Sequence, residues 1–195
     1  MKRLRHRSRA RQPGGPSRSR SDMAGALPTE PTDIFAALNR ARVRYLVVDG
    51  IAAIAHGVPR ATFDVDVAVE LETANLRRLA EAMRCLGFDP RVPADVAQLA
   101  DPRIRRAWTR DKAMKVFSFI ERTPPFRVVD VMVRPLAHFD ELHRRRFKVV
   151  YRGIPIPILP LPALIRMKRA AGRPEDRQDV QWLQMIRRLR RRAVT

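Results

Sequence analysis

Cysteine is all but missing. Cys85 stands alone among 195 residues, which excludes an internal disulfide and a cysteine-based zinc cluster. Its neighbours Met83 and Leu86 make it an expected packing residue of a helix. Long apolar runs are absent too. None approaches the ~20 residues a bilayer-spanning helix needs, and the basic beginning leads into no apolar stretch of the kind a secretory signal carries. No membrane is expected, and the cytoplasm is the expected setting. Acids are outnumbered: 20 Asp and Glu stand against 40 Lys and Arg, a net charge of +20. Such an excess favours anionic partners, namely nucleic acid, nucleotides or an acidic protein. An arginine-rich coding bias is the alternative source of the charge.

What is present suffices for one packed domain, since 45% of residues are hydrophobic. Residues 1–31 are rich in Arg, Ser, Pro and Gly and bury too little apolar surface to offset their ordering entropy, so a disordered basic segment is expected. Its arginines suit RNA phosphates; the alternative is that the natural start is Met23. A core over 32–158 and a C-terminal helical segment over 159–195, packed on that core, complete the expected division.

Thr32 or Asp33 is the expected cap of a first helix carrying Ile34, Phe35, Leu38 and Val43. A buried strand follows over 45–48. Gly50 opens a short helix over 51–55, and Gly57 suits its left-handed end. The strand 63–69 comes next, then a helix capped by Thr73, with Leu76, Leu79, Ala80, Met83 and Leu86 at helical spacing and Gly87 as its end. Two short helices, 94–99 and 103–108, are broken at Asp101-Pro102. Strands over 114–121 and 126–133 flank a turn at Thr123-Pro124-Pro125. A basic helix is expected over 139–146. A hairpin pairs 149–151 with 154–158 around Arg152-Gly153, and Pro155 and Pro157 place its second arm at an edge or make it irregular. Pro162 suits the first turn of a helix ending at Ala171. The final helix, 174–192, is expected to carry an apolar stripe of Trp182, Met185, Ile186 and Leu189, with arginines on its other faces as an RNA rail or a solvated side. This alternation predicts an α+β (mixed α/β) domain.

Asp64 and Asp66 lie two apart on an expected strand and so point to one side of it, with Val65 and Val67 on the other. Asp130 is likewise flanked by valines on a second expected strand. Carboxylates amid apolar neighbours are costly unless compensated. If the strands adjoin, three carboxylates converge, a donor set suited to Mg²⁺ with substrate phosphates in its shell, or to two such ions clamping an in-line phosphoryl displacement.

The stretch V-V-D-G-I-A-A-I-A-H-G-V-P-R-A-T-F-D-V-D-V resembles the signature of the DNA polymerase β-like minimal nucleotidyltransferases. R-V-V-D-V-M-V supplies the third acid, and L-P-A-L-I-R-M-K-R-A-A-G-R-P-E-D-R-Q-D-V-Q-W-L is similar to a C-terminal helix pair of the AbiEii-type nucleotidyltransferase toxins. The likeness spans about residues 36–183 and implies a nucleotidyltransferase-fold mixed sheet flanked by helices, with a C-terminal helical extension. It implies that Asp64 and Asp66 bind Mg²⁺ or Mn²⁺ bridging a nucleoside triphosphate, and that Asp130 completes the site and helps activate the acceptor hydroxyl. Gly50 would open a helix whose N–H groups approach the phosphates, and Arg60 and Thr62 would stand beside the nucleotide or stabilise the loop. The implied activity moves a nucleoside monophosphate from an NTP to a hydroxyl, with RNA (the tRNA 3′ end) as acceptor and an antitoxin as partner. The alternatives are a protein hydroxyl as acceptor, or an RNA- or antitoxin-binding module on a weakened enzyme.

Lys168 lies on the apolar side of its helix, four residues from Leu164 and seven from Leu161. It either snorkels past the core or reaches toward phosphate. Asp176 and Asp179, near the start of the last helix, suit its dipole whether or not they are accessory site residues. His56 is expected to fix the short helix against the sheet. Asp49 departs from the pattern, which has Gly there. An acid beside a triphosphate repels it unless it faces away or takes part in metal binding.

Overall fold

The structure, a computed structural model, describes residues 31–193. The expectations of disorder and of a start at Met23 fall on residues outside those described, apart from Pro31. The described residues build a mixed seven-stranded sheet flanked by seven α-helices, the expected fold class. Among the described residues no helix is long and apolar enough to cross a membrane.

Helix α1 (Thr32–Arg40) buries Ile34, Phe35 and Leu38 completely. Pro31 rather than Thr32 or Asp33 holds its cap position, and Asp33 instead binds Arg127 through both carboxylate oxygens, at 2.6 and 2.7 Å. Strand β1 (Tyr45–Val47) is buried on both faces. It pairs antiparallel with β2 (Val65–Val69), and β2 pairs parallel with β5 (Val128–Met132). Between β1 and β2 lies α2 (Asp49–His56), closed by Gly57 at φ +113°. Helix α3 (Thr73–Cys85) is capped by the Glu72 carboxylate, which accepts from Ala74 N–H and Asn75 N–H; Thr73 is its first helical residue instead. Cys85 is exposed beside Glu81, so it does not serve in packing: the inward face takes Leu76, Leu79 and Met83.

Strand β3 (Phe88–Pro90) was not expected, because three residues ending in proline show no alternation; its buried Phe88 and its pairing with β4 (Val116–Glu121) define it. A 3₁₀ turn, Val96–Ala100, leads to α4 (Pro102–Asp111), where Asp101 caps and Pro102 opens the helix. Helix α5 (Phe139–Arg144) is short, and β6 (Phe147–Tyr151) forms a hairpin with β7 (Ile154–Ile158).

The sheet order is β3-β4-β5-β2-β1-β7-β6, so β7 is internal and β6 is the edge. Pro155 and Pro157 are tolerated because their missing N–H groups face the β1 side, by alternation from Leu159 N–H, which donates to Val47 O at 3.0 Å. The β1–β7 ladder is accordingly reduced to the one register pair Val47 and Ile158, and Asn39 of α1 donates to the Pro155 carbonyl at 2.8 Å.

Helices α6 (Leu161–Ala171) and α7 (Pro174–Arg192) pack on each other and on α2. The inward face of α7 carries Asp176, Asp179, Val180, Leu183 and Ile186, whereas Trp182, Met185 and Leu189 are exposed. The expected stripe is therefore displaced. The carboxylates hold the buried side because a charged partner waits there.

Candidate active site

The β2–β5 register sets Asp66 directly beside Asp130, and the β4–β5 register sets Ser118 opposite Asp130, making a row across three strands. Val65, Val67, Val129 and Val131 are buried on the opposite face, which fixes the two acids to the more open one. Asp64 stands in a bend one residue before β2, and Phe63 is 71% exposed. The strand begins two residues later than expected because its ladder to β5 begins at Val65.

These acids repel one another. Burial, with the nearby charges of Asp49, Asp130 and Asp64, pushes the Asp66 carboxyl up to about 7, against a smaller opposing pull from Arg173. Burial and then Asp130 also raise the Asp64 carboxyl. Asp130 Oδ1 is buried without a hydrogen-bond partner among the described residues. A buried carboxylate oxygen left unpaired costs about 1–3 kcal/mol or more, and a divalent cation with oxygen preference is the compensation this donor set fits.

A second cluster lies beside the first. Asp49, Asp176 and Asp179 bring carboxylate oxygens within 4.8 Å of one another, a spacing open to a cation. The cation is already there: Lys168 Nζ, 1% exposed, lies 2.5, 2.9 and 2.8 Å from Asp49, Asp176 and Asp179. Burial alone would lower the Lys168 pKa, but hydrogen bonds to Asp179, Asp49 and Asp176 outweigh it and leave it raised. Arg60 adds a bond to Asp179 at 2.6 Å, and Arg173 reaches Asp49 at 3.5 Å while its backbone N–H donates to Asp176. The second cluster is thus neutralised by an ammonium, whereas the acids of the row at Asp66 stand without a cation of their own among the described residues. Lys168 does not snorkel to solvent; it ties α2, α6 and α7 together.

Among the described residues no side chain caps the first-turn N–H groups of helix α2. Asp49 sits at φ +47°, in the left-handed region where glycine is at ease. Gly50 is required by contact: a Cβ there would stand 2.4 Å from Thr62 Oγ1 and 2.8 Å from Thr62 Cβ. His56, 3% exposed, meets the Leu159 carbonyl at 2.9 Å and stacks on Phe147, while Arg190 donates to its backbone carbonyl. It fixes α2 to the end of β7 as expected.

A cleft of about 480 Å³ opens at the site, lined by Asp49, Asp66, Lys115, Arg134, Lys168 and Arg173 among others. Carboxylates and cations share the wall with an apolar part made of Val48, Val116, Met132 and Met167. Lys115, Arg134 and Arg173 were missed in the sequence, where they are three bases among 40; only the strand ends and the helix junction that carry them would have pointed to the cleft.

No family model matches the chain, and no curated protein matches it. Solved nucleotidyltransferase structures resemble it loosely. An antigenic nucleotidyltransferase-like protein from Paracoccidioides brasiliensis is 14% identical, with 81% of this chain and 73% of that one covered and a TM-score of 0.47. ANT(2″)-Ia in complex with adenylyl-2″-tobramycin is 15% identical, with 84% and 95% covered and a TM-score of 0.47.

Proposed function

We propose that the protein is a metal-dependent nucleotidyltransferase that moves a nucleoside monophosphate from an NTP to a hydroxyl on RNA, the tRNA 3′ end being the intended acceptor. The observation that carries this reading is the row of mutually repelling acids around Asp66, with the orphaned Asp130 Oδ1 at its centre. The acceptor oxygen attacks the α-phosphorus, the bond to the β-phosphate oxygen breaks, and pyrophosphate leaves.

Asp64, Asp66 and Asp130 would hold Mg²⁺ or Mn²⁺, which when bound supplies positive charge to the phosphates. The chain's own groups do the rest. Asp130, set beside Asp66 by the strand register, would take the proton of the acceptor hydroxyl. Lys115, Arg134 and Arg173 offset the triphosphate charge along the cleft. The uncapped start of α2 offers N–H groups to phosphate oxygens, and Gly50 keeps Thr62 against that turn. Arg60 and Lys168 act through Asp179 and Asp49, orienting the loop and the helix rather than touching the nucleotide. Asp49 is turned to Lys168 and Arg173, which reduces its repulsion of a triphosphate.

The biological role we assign is that of an AbiEii-type toxin in the cytoplasm, restrained by a cognate antitoxin. Incubation with labelled NTPs, Mg²⁺ and bulk tRNA should label RNA with wild type and not with Asp64→Ala. Equal labelling by the two would sink the reading.

A further inference from the structure

A transferase of this kind needs a path for its acceptor, and a second cavity supplies one. A groove of about 610 Å³ runs between α4 and the chain leaving β5, lined by Arg105, Arg106, Arg110 and Arg134 with Pro102 and Pro135. Thr109 and Arg134 line both this groove and the cleft at Asp66, so the two adjoin across a shared wall. Among the described residues no acid lines the groove.

Its four guanidinium groups differ in state. Arg105 is part of the wall, its head donating to the carbonyls of Leu99 and Ala100. Arg110 is paired with Asp111 at 2.5 Å. Arg106 and Arg134 are exposed and form no hydrogen bond or ion pair with the described residues. Burial and then the charge of Arg106 lower the Arg105 pKa, a sign of crowded like charge. Trp108, buried and stacked on Phe117, anchors α4 to the sheet.

We infer that this groove holds the sugar–phosphate backbone of a single-stranded polynucleotide and leads its terminal hydroxyl into the cleft at Asp66. Guanidinium forks match phosphate oxygens in a way that a flexible ammonium does not. A wall with four guanidinium groups and, among the described residues, no acid suits an evenly spaced run of phosphates better than a protein surface of mixed charge. The delivery of a hydroxyl to Asp66 rests on the transfer reading above; binding in the groove does not.

The test therefore measures binding with no NTP and no metal. Fluorescence anisotropy of a labelled single-stranded RNA is followed against salt for the full chain, for Arg106→Gln/Arg134→Gln, and for the charge-matched control Arg177→Gln/Arg188→Gln. Both control arginines are exposed on α7. The groove variant should bind about tenfold or more weakly and lose about 1.4 from the slope of log K against log salt, two phosphates at ~0.7 each. The control should change neither measurably. Equal losses in both variants would overturn the proposal, because binding would then be diffuse. Single-stranded DNA of the same sequence separates backbone recognition, which gives equal affinity, from recognition of the 2′-hydroxyl, which favours RNA; either agrees with a strand in the groove. An acidic peptide that binds wild type and not the groove variant, with RNA affinity the same in both, would assign the groove to a protein and overturn it. Lost RNA binding in the groove variant together with no nucleotide transfer by wild type would leave the groove standing and remove the enzyme.

Discussion

Replacing Asp66 by Asn should stabilise the metal-free protein, and the gain should grow with pH. Burial and three neighbouring acids push the Asp66 carboxyl from its ordinary 3.8 up to about 7. The folded protein thus holds this proton more tightly than the unfolded chain does. Between about pH 4 and 7 folding takes up a proton, and stability falls as pH rises through that window. Each unit is about 1.36 kcal/mol, so the cost of Asp66 is roughly 1.5 kcal/mol at pH 5 and about 4 kcal/mol at pH 8. Asn has the same shape and no charge to desolvate. At ~2–4 °C per kcal/mol for a chain of this size, D66N should melt roughly 10 °C above wild type at pH 8 in EDTA, and only a few degrees above it at pH 5. Adding millimolar Mg²⁺ at pH 8 should raise the wild-type Tm and leave D66N nearly unmoved. Scanning calorimetry or a dye melt reads all of these values. A D66N protein no more stable than wild type at pH 8 would refute the electrostatic account of the site, as would a difference that does not shrink toward pH 5.

Lys168→Met should be strongly destabilising, by about 3–5 kcal/mol, because it leaves three carboxylates around a buried space without their counter-ion; a urea midpoint measures it, and Arg84→Ala, which breaks an exposed pair with Glu81, should leave that midpoint where it was. Gly50→Ala should cost about 1–3 kcal/mol by overpacking against Thr62. The double variant with Thr62→Gly should recover most of that loss in a denaturation cycle, whereas Thr62→Ser should recover none, since the oxygen nearest the new methyl remains.

The alternating apolar pattern made most of the sheet legible, but the adjacency of the two acid-bearing strands stayed conditional until the β2–β5 register supplied it. Asp66 and Asp130 are each bracketed by valines, and burial of those valines leaves the acids on one face whichever strand neighbours which. The last helix was bounded correctly at Pro174 and Arg192, yet its inward face was misplaced. Apolar periodicity alone selects Trp182, Met185 and Leu189. It gives no weight to Asp176 and Asp179, whose burial depends on a lysine from another helix. Strand β3 and the internal position of β7 were illegible for a related reason. A strand of three residues, or one interrupted by two prolines, is held by its neighbours' hydrogen bonds rather than by its own pattern.

Asp49 joins these two kinds of information. Its backbone, at φ +47°, takes a conformation that glycine adopts freely and that Asp, with Asn, tolerates better than most residues. The carboxylate that makes the residue look misplaced is the one that meets Lys168, so the backbone cost is offset by an ion pair that also fastens α2 to α6. The same carboxylate raises the pKa of Asp66 from the other side. One residue therefore couples the packing of the C-terminal helices to the charge of the acid row. Any movement of α6 that withdraws Lys168 leaves Asp49 less neutralised and strengthens its repulsion of Asp66. The helical segment is accordingly part of the site's electrostatics as well as its cover, although it contributes none of the three acids that would hold a metal.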